Sequence, residues 1–111
     1  MDESEVLVAE CHPVAALPQV LAALQDPIRL EMIRRLSNAG EPLQCSALYN
    51  GINKSTATHH FKILREAGLI ERQVCGGLIR QRLRTEEVSA ALPGLLESVI
   101  DGANREAAVR A

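Results

Sequence analysis

At 111 residues and 47% hydrophobic content, the chain has room for one compact domain and little more. No apolar run approaches the ~18 residues needed to cross a bilayer, and the N-terminus MDESEVLVAE is acidic where a signal peptide is basic, so a cytoplasmic protein is expected. Three widely separated cysteines, Cys11, Cys45 and Cys75, argue against a secreted disulfide framework, and the net charge of −2 hides an uneven distribution. Residues 1–53 carry −4, residues 54–84 carry +5, and residues 85–111 carry −3. A basic block between acidic flanks points to an anionic partner for the middle segment.

Residues 1–10 read as an acidic tail, 11–100 as the folded domain, and 101–111 as a frayed C-terminal tail. Val14, Leu17, Val20, Leu21 and Leu24 recur at helical spacing, with Pro13 and Pro18 as interruptions. Asp26-Pro27 reads as an N-cap and a first-turn proline, opening a helix that buries Ile28, Met32, Ile33 and Leu36 and ends near Gly40. A short third helix is expected over Leu43–Tyr49, broken by Asn50-Gly51. Asn53 then caps a fourth helix that stops at Gly68.

Beyond Gly68 the period changes to two. Ile70–Cys75 and Leu78–Arg84 are joined by Gly76-Gly77, a hairpin signal. Ile79, Gln81 and Leu83 fall on one face of the second strand, and Arg80, Arg82 and Arg84 on the other, where they repel unless something anionic neutralises them. Thr85 is expected to cap a last helix with the apolar stripe Leu92, Leu95, Leu96, Val99 and Ile100, kinked or restarted at Pro93-Gly94.

On the fourth helix Ala57, Phe61 and Leu64 cluster on one arc, while Ser55, Thr58, His59 and Lys62 lie opposite. Small hydrogen-bonding groups with one cation suit a helix that enters a major groove. The short helix and turn before it complete a helix-turn-helix, and the arginine hairpin forms a wing. The fold expected is therefore mainly α with a small β-hairpin, a winged helix-turn-helix. With one Tyr, one Phe and no Trp, no aromatic platform for stacking bases remains, which favours duplex DNA over RNA. Ser55, Thr56, Thr58 and His59 are assigned to the groove, Lys54 and Lys62 to phosphates at its edges, and Arg80 and Arg82 to backbone or minor groove. His60 is expected to be packed and hydrogen-bonded at the dimer or wing junction; adjacent histidines on a helix diverge by about 100° and cannot chelate one ion together. With no nucleophile motif or phosphate loop beside them, an enzyme is excluded.

LQDPIRLEMIRRL, KSTATHHFKILREAGLIE and the glycine-turned hairpin together resemble the ArsR/SmtB-type winged-helix repressors, over about Val20 to Ile100. That resemblance implies a homodimer built on the first and last helices, bound to an imperfect inverted repeat of double-stranded DNA and released by an inducer. It departs from the family's metal sensors. PLQCSAL holds Cys45 alone where paired cysteines are common, and no histidine follows Thr85. No metal ligand set and no cofactor is therefore assigned, although a non-standard cysteine site for metal or arsenic stays open as an alternative. Cys45, expected in the first turn of a helix that would lower its pKa, is the candidate sensor thiol, with Cys11 as resolving partner. A winged helix that binds an acidic protein instead of DNA is the rival reading.

Overall fold

A computed structural model describes residues 6–110 of the chain. Strand β1 (Val6–Glu10) is followed by α1 (Leu17–Leu24), α2 (Pro27–Ala39), the two-residue strand β2 (Leu43–Gln44), a 3-10 turn (Cys45–Ala47), and α3 (Lys54–Glu66). Strands β3 (Ile70–Cys75) and β4 (Leu78–Leu83) form the wing, and α4 (Thr85–Ala91) and α5 (Leu95–Arg110) close the chain. The four strands make one antiparallel sheet in the order β1-β3-β4-β2. This is a winged helix-turn-helix arrangement, mainly α with a small sheet.

Local chemistry explains most boundaries. Asp26 caps α2 by accepting from the backbone N–H groups of Ile28 and Arg29 at 2.8 and 3.1 Å, and Pro27 occupies the first helical position. Asn53 caps α3 through the Thr56 N–H at 2.8 Å. Gly76 and Gly77 both take positive φ, as a two-residue hairpin loop requires, and so pair Cys75 with Leu78 and Glu71 with Arg82. The core is built from Val20 of α1, Met32, Ile33 and Leu36 of α2, Ala57, Phe61 and Leu64 of α3, and Leu96 of α5. Among the described residues no helix is long and apolar enough to cross a membrane.

Five expectations are corrected. The tail assigned to residues 1–10 includes β1, which pairs with β3 along Val6–Glu10; residues 1–5 lie outside the described part. Helix α1 begins at Leu17 rather than Val14, with Pro18 in its first turn, where a missing N–H costs nothing. The third helix is only a 3-10 turn preceded by β2. Thr85 is the first residue of α4 and not its cap, a position held by Arg84 without a side-chain bond. The C-terminal segment is helical. Helix α5 continues to Arg110 because Asn104 exchanges side-chain hydrogen bonds with Asn38 of α2 at 3.0 and 3.1 Å, and Asp101–Arg105 and Glu106–Arg110 pair along its exposed side.

The segment Pro13–Ala15 crosses the end of α3, where the Ala15 N–H donates to Ala67 O at 3.0 Å. Gly68 makes room for it: φ is +78°, and a Cβ would stand 2.3 Å from Pro13 O and 2.5 Å from Val14 Cα. Gly68→Ala is therefore expected to destabilise the fold by clearly more than the ~1 kcal/mol left-handed penalty. Gly40→Ala, whose Cβ meets nothing at the α2 C-cap, should cost about that penalty alone. Urea unfolding of the two variants checks the difference.

Candidate nucleic-acid interface

Helix α3 turns Ala57, His60, Phe61 and Leu64 into the protein and leaves Lys54, Ser55, Thr56, Thr58, His59 and Lys62 exposed. All six helix residues assigned to DNA thus lie on solvent-facing positions of one helix. The Thr58 hydroxyl donates to Lys54 O at 2.8 Å, which leaves the oxygen's lone pairs available to accept. Lys62 stands 3.9 Å from Glu66, a loose exposed pair that a phosphate can displace.

The inner side of the helix is anchored by two arginines of α2. Arg29 donates to Ala22 O and Ala23 O at the end of α1 and, at 3.1 Å, to Nδ1 of His60. Because a guanidinium only donates, Nδ1 must accept, and the ring proton of His60 resides on Nε2. Arg35 donates to Ala47 O at 3.2 Å and to Asn50 Oδ1 at 2.7 Å, clamping the turn that precedes α3. Glu31 holds Arg35 in place at 2.8 Å and Arg34 at 2.7 Å. The hydrogen bond from Arg34, then that from Arg35, outweighs partial burial and lowers the Glu31 carboxyl from 4.5 to about 2. None of these supports was read from the sequence, although the i,i+4 spacing of Glu31 and Arg35 is visible there.

On the wing, Arg82 is engaged internally. Its Nη2 donates to Glu71 at 2.9 Å and also to Glu87 of α4. Arg84 is buried, donates to Gly68 O at 2.8 Å and to His12 O, and lies within 4 Å of the same two carboxylates. The anions that relieve the arginine face are internal. The Arg82 hydrogen bond holds the Glu71 carboxyl below its ordinary value, and the Arg82 guanidinium is correspondingly harder to deprotonate. Of the two wing arginines assigned to DNA, Arg80 alone has no ion-pair partner among the described residues, and its Nε is buried without a hydrogen bond. The two-residue loop already places Glu71 opposite Arg82, so this pairing was available in the sequence as a register.

With this geometry in view, comparison with known proteins is specific. The pattern of a helix-turn-helix domain family matches residues 24–73, from the end of α1 into β3. The "Uncharacterized HTH-type transcriptional regulator YceK" of Bacillus subtilis (strain 168) is 39% identical over 83 residues, 73% of this chain and 83% of that protein. The chain belongs to the helix-turn-helix transcriptional regulators. Among solved structures, NolR from Sinorhizobium fredii superposes with a TM-score of 0.57 at 25% identity, covering 75% of this chain and 83% of that one. The transcriptional repressor BigR from Xylella fastidiosa shares the fold with a TM-score of 0.53 at 21% identity, covering 68% and 85%. Membership places the protein with DNA-binding regulators and not with enzymes.

The three thiols of the regulator lie in different settings. Cys45 begins the 3-10 turn, so the α-helix whose dipole was to activate it is absent. Its Sγ instead accepts from Gln81 Nε2 of β4 at 3.6 Å. Cys11 is exposed after β1, Cys75 ends β3, and all three are free. Among the described residues no group of three or more His, Cys, Asp or Glu side chains is placed to hold a metal ion.

The Glu31 clamp has a pH signature. Its carboxyl titrates at about 2 when folded and at its ordinary value of 4.5 when unfolded, so its stabilisation is complete above pH ~4.5 and disappears as pH falls towards 2. Glu31→Gln is expected to be less stable than wild type at pH 7 and to lose less on acidification. Urea midpoints measured between pH 6 and 2.5 should converge for the two proteins.

Proposed function

We propose that this regulator is an ArsR/SmtB-type repressor that binds duplex DNA as a homodimer at an imperfect inverted repeat. The observation that carries the reading is the solvent face of α3, where Ser55, Thr56, Thr58 and His59 stand clear of the core between the cations Lys54 and Lys62. In the proposed complex the four polar side chains enter the major groove, and Lys54, Lys62 and the first-turn N–H groups meet phosphate. The wing contact falls to Arg80. Arg82, held by Glu71 and Glu87, sets the position of the wing. Support for the dimer comes from apolar side chains left bare at both ends of the chain: Leu17 and Leu21 of α1 are 44% and 46% exposed, and Val109 of α5 is 87% exposed. Two reading helices related by the dimer axis would stand about 34 Å apart, one turn of duplex.

Release of DNA is proposed to act where Cys45 meets Gln81, since this contact joins the helix-turn-helix to the wing. Peroxide takes two electrons from the sulfur and leaves a sulfenic acid and water. The larger, polar group no longer fits the Gln81 amide as the thiol does.

Binding to the protein's own upstream promoter DNA, followed by fluorescence anisotropy, tests each part. With about six to ten phosphate contacts per dimer, affinity should fall ~10³–10⁵-fold between about 50 and 200 mM salt. Arg80→Ala should weaken all sequences alike and reduce the salt slope by about 1 per protomer, whereas His59→Ala should change the preferred half-site. An unchanged slope in Arg80→Ala would remove the wing from the interface, and absence of low-salt binding to any duplex would favour an acidic protein partner. Peroxide should lower the affinity of wild type and leave Cys45→Ser unaffected; equal loss in both would exclude this thiol.

A further inference from the structure

The cleft between α3 and the wing contains a cavity of about 320 Å³ that the DNA-reading scheme leaves unused. Tyr49 and Phe61 meet edge to face on its wall, with ring centroids 6.2 Å apart, and Ile79 of β4, 40% exposed, lines it from the wing side. A space of this size with aromatic and aliphatic walls accommodates one or two fused rings.

Its charged groups are of one sign. Lys54, Arg65 and Arg72 line the cavity, and no carboxylate does. Arg65 is held by Glu10 at 3.1 Å, but Lys54 and Arg72 have no ion-pair partner among the described residues. An independent observation concerns Gln81, which also lines the space. It is 1% exposed, its Nε2 is spent on Cys45, and its Oε1 accepts no hydrogen bond. Buried acceptors are almost always satisfied, so an empty one beside a cavity calls for a donor.

We infer that this cleft is an effector site for a small aromatic hydroxy acid. The ring lies among Tyr49, Phe61 and Ile79, the carboxylate pairs with Arg72 and Lys54, and the hydroxyl donates to Gln81. Lys54 and Thr58 line the cavity and also belong to the proposed DNA face, so an occupied cleft competes for Lys54 and props α3 against the wing. The effector role, though not the binding itself, rests on the proposed repressor reading.

The test uses the full chain and 6-hydroxynaphthalene-2-carboxylate, with its neutral carboxamide as control. Calorimetry without DNA should show the acid binding about tenfold or more tightly than the carboxamide, the value of one charge-assisted contact. Arg72→Gln should bring the acid down to the level of the carboxamide. Ile79→Asp, at an exposed strand position that does not threaten folding, should abolish acid binding by placing a like charge in the wall. Equal binding of acid and carboxamide, no acid binding at millimolar concentration, or indifference to both substitutions would overturn the site. In the anisotropy assay the acid should release promoter DNA from wild type and not from Ile79→Asp. Binding without release would overturn the effector role. Failure of the protein to bind any duplex would instead count against the repressor reading, while calorimetry still decides the cleft.

Discussion

A buried carboxylate at the base of the wing organises this protein. Glu71 is 5% exposed and takes Arg82 directly, with Arg84 close behind and Glu87 of α4 completing the set. Arg84 extends the network by donating to Gly68 O after α3 and to His12 O after β1. One cluster therefore ties the end of α3, both wing strands, α4 and the N-terminal connection. Removing one partner from such a cluster leaves an uncompensated buried charge, costly on the scale of ~3–5 kcal/mol, which is why these arginines are structural groups first.

A parallel arrangement supports the other side of α3. Arg29 and Arg35 leave α2 in different directions, one to the end of α1 and to His60, the other to the turn at Ala47 and Asn50. The helix is held at its N-terminal approach and along its inner face by charged hydrogen bonds, while its outer face carries almost no internal obligations. That division gives the proposed recognition helix a fixed orientation from behind and unspent donors and acceptors in front.

How much of this was legible depends on the range of the interaction concerned. The Asp26 and Asn53 caps, the stop at Gly68 and the Gly76-Gly77 hairpin are settled within a few residues, and the sequence reading placed them correctly. The inward arc of α3 and the packing of His60 followed from helical geometry alone, but its partner is Arg29 of α2 and not a group at the dimer or wing junction. The stretch VLVAE was read as tail because a five-residue run has no strand identity until β3 offers it an edge. PLQCSAL looked helical, but β4 draws Leu43 and Gln44 into the sheet and leaves room for a single 3-10 turn.

The sequence by itself determined helices α2 and α3, the hairpin register and the side of α3 that faces water, because caps, turn glycines and hydrophobic period are short-range constraints. Only the tertiary structure decided which arginines are free. Arg80, Arg82 and Arg84 alternate identically in the sequence, yet Glu87 arrives from α4 and the Gly68 and His12 carbonyls from segments far apart in the chain. Charge pairing depends on distance in space, and strand periodicity carries no information about what the next helix brings alongside.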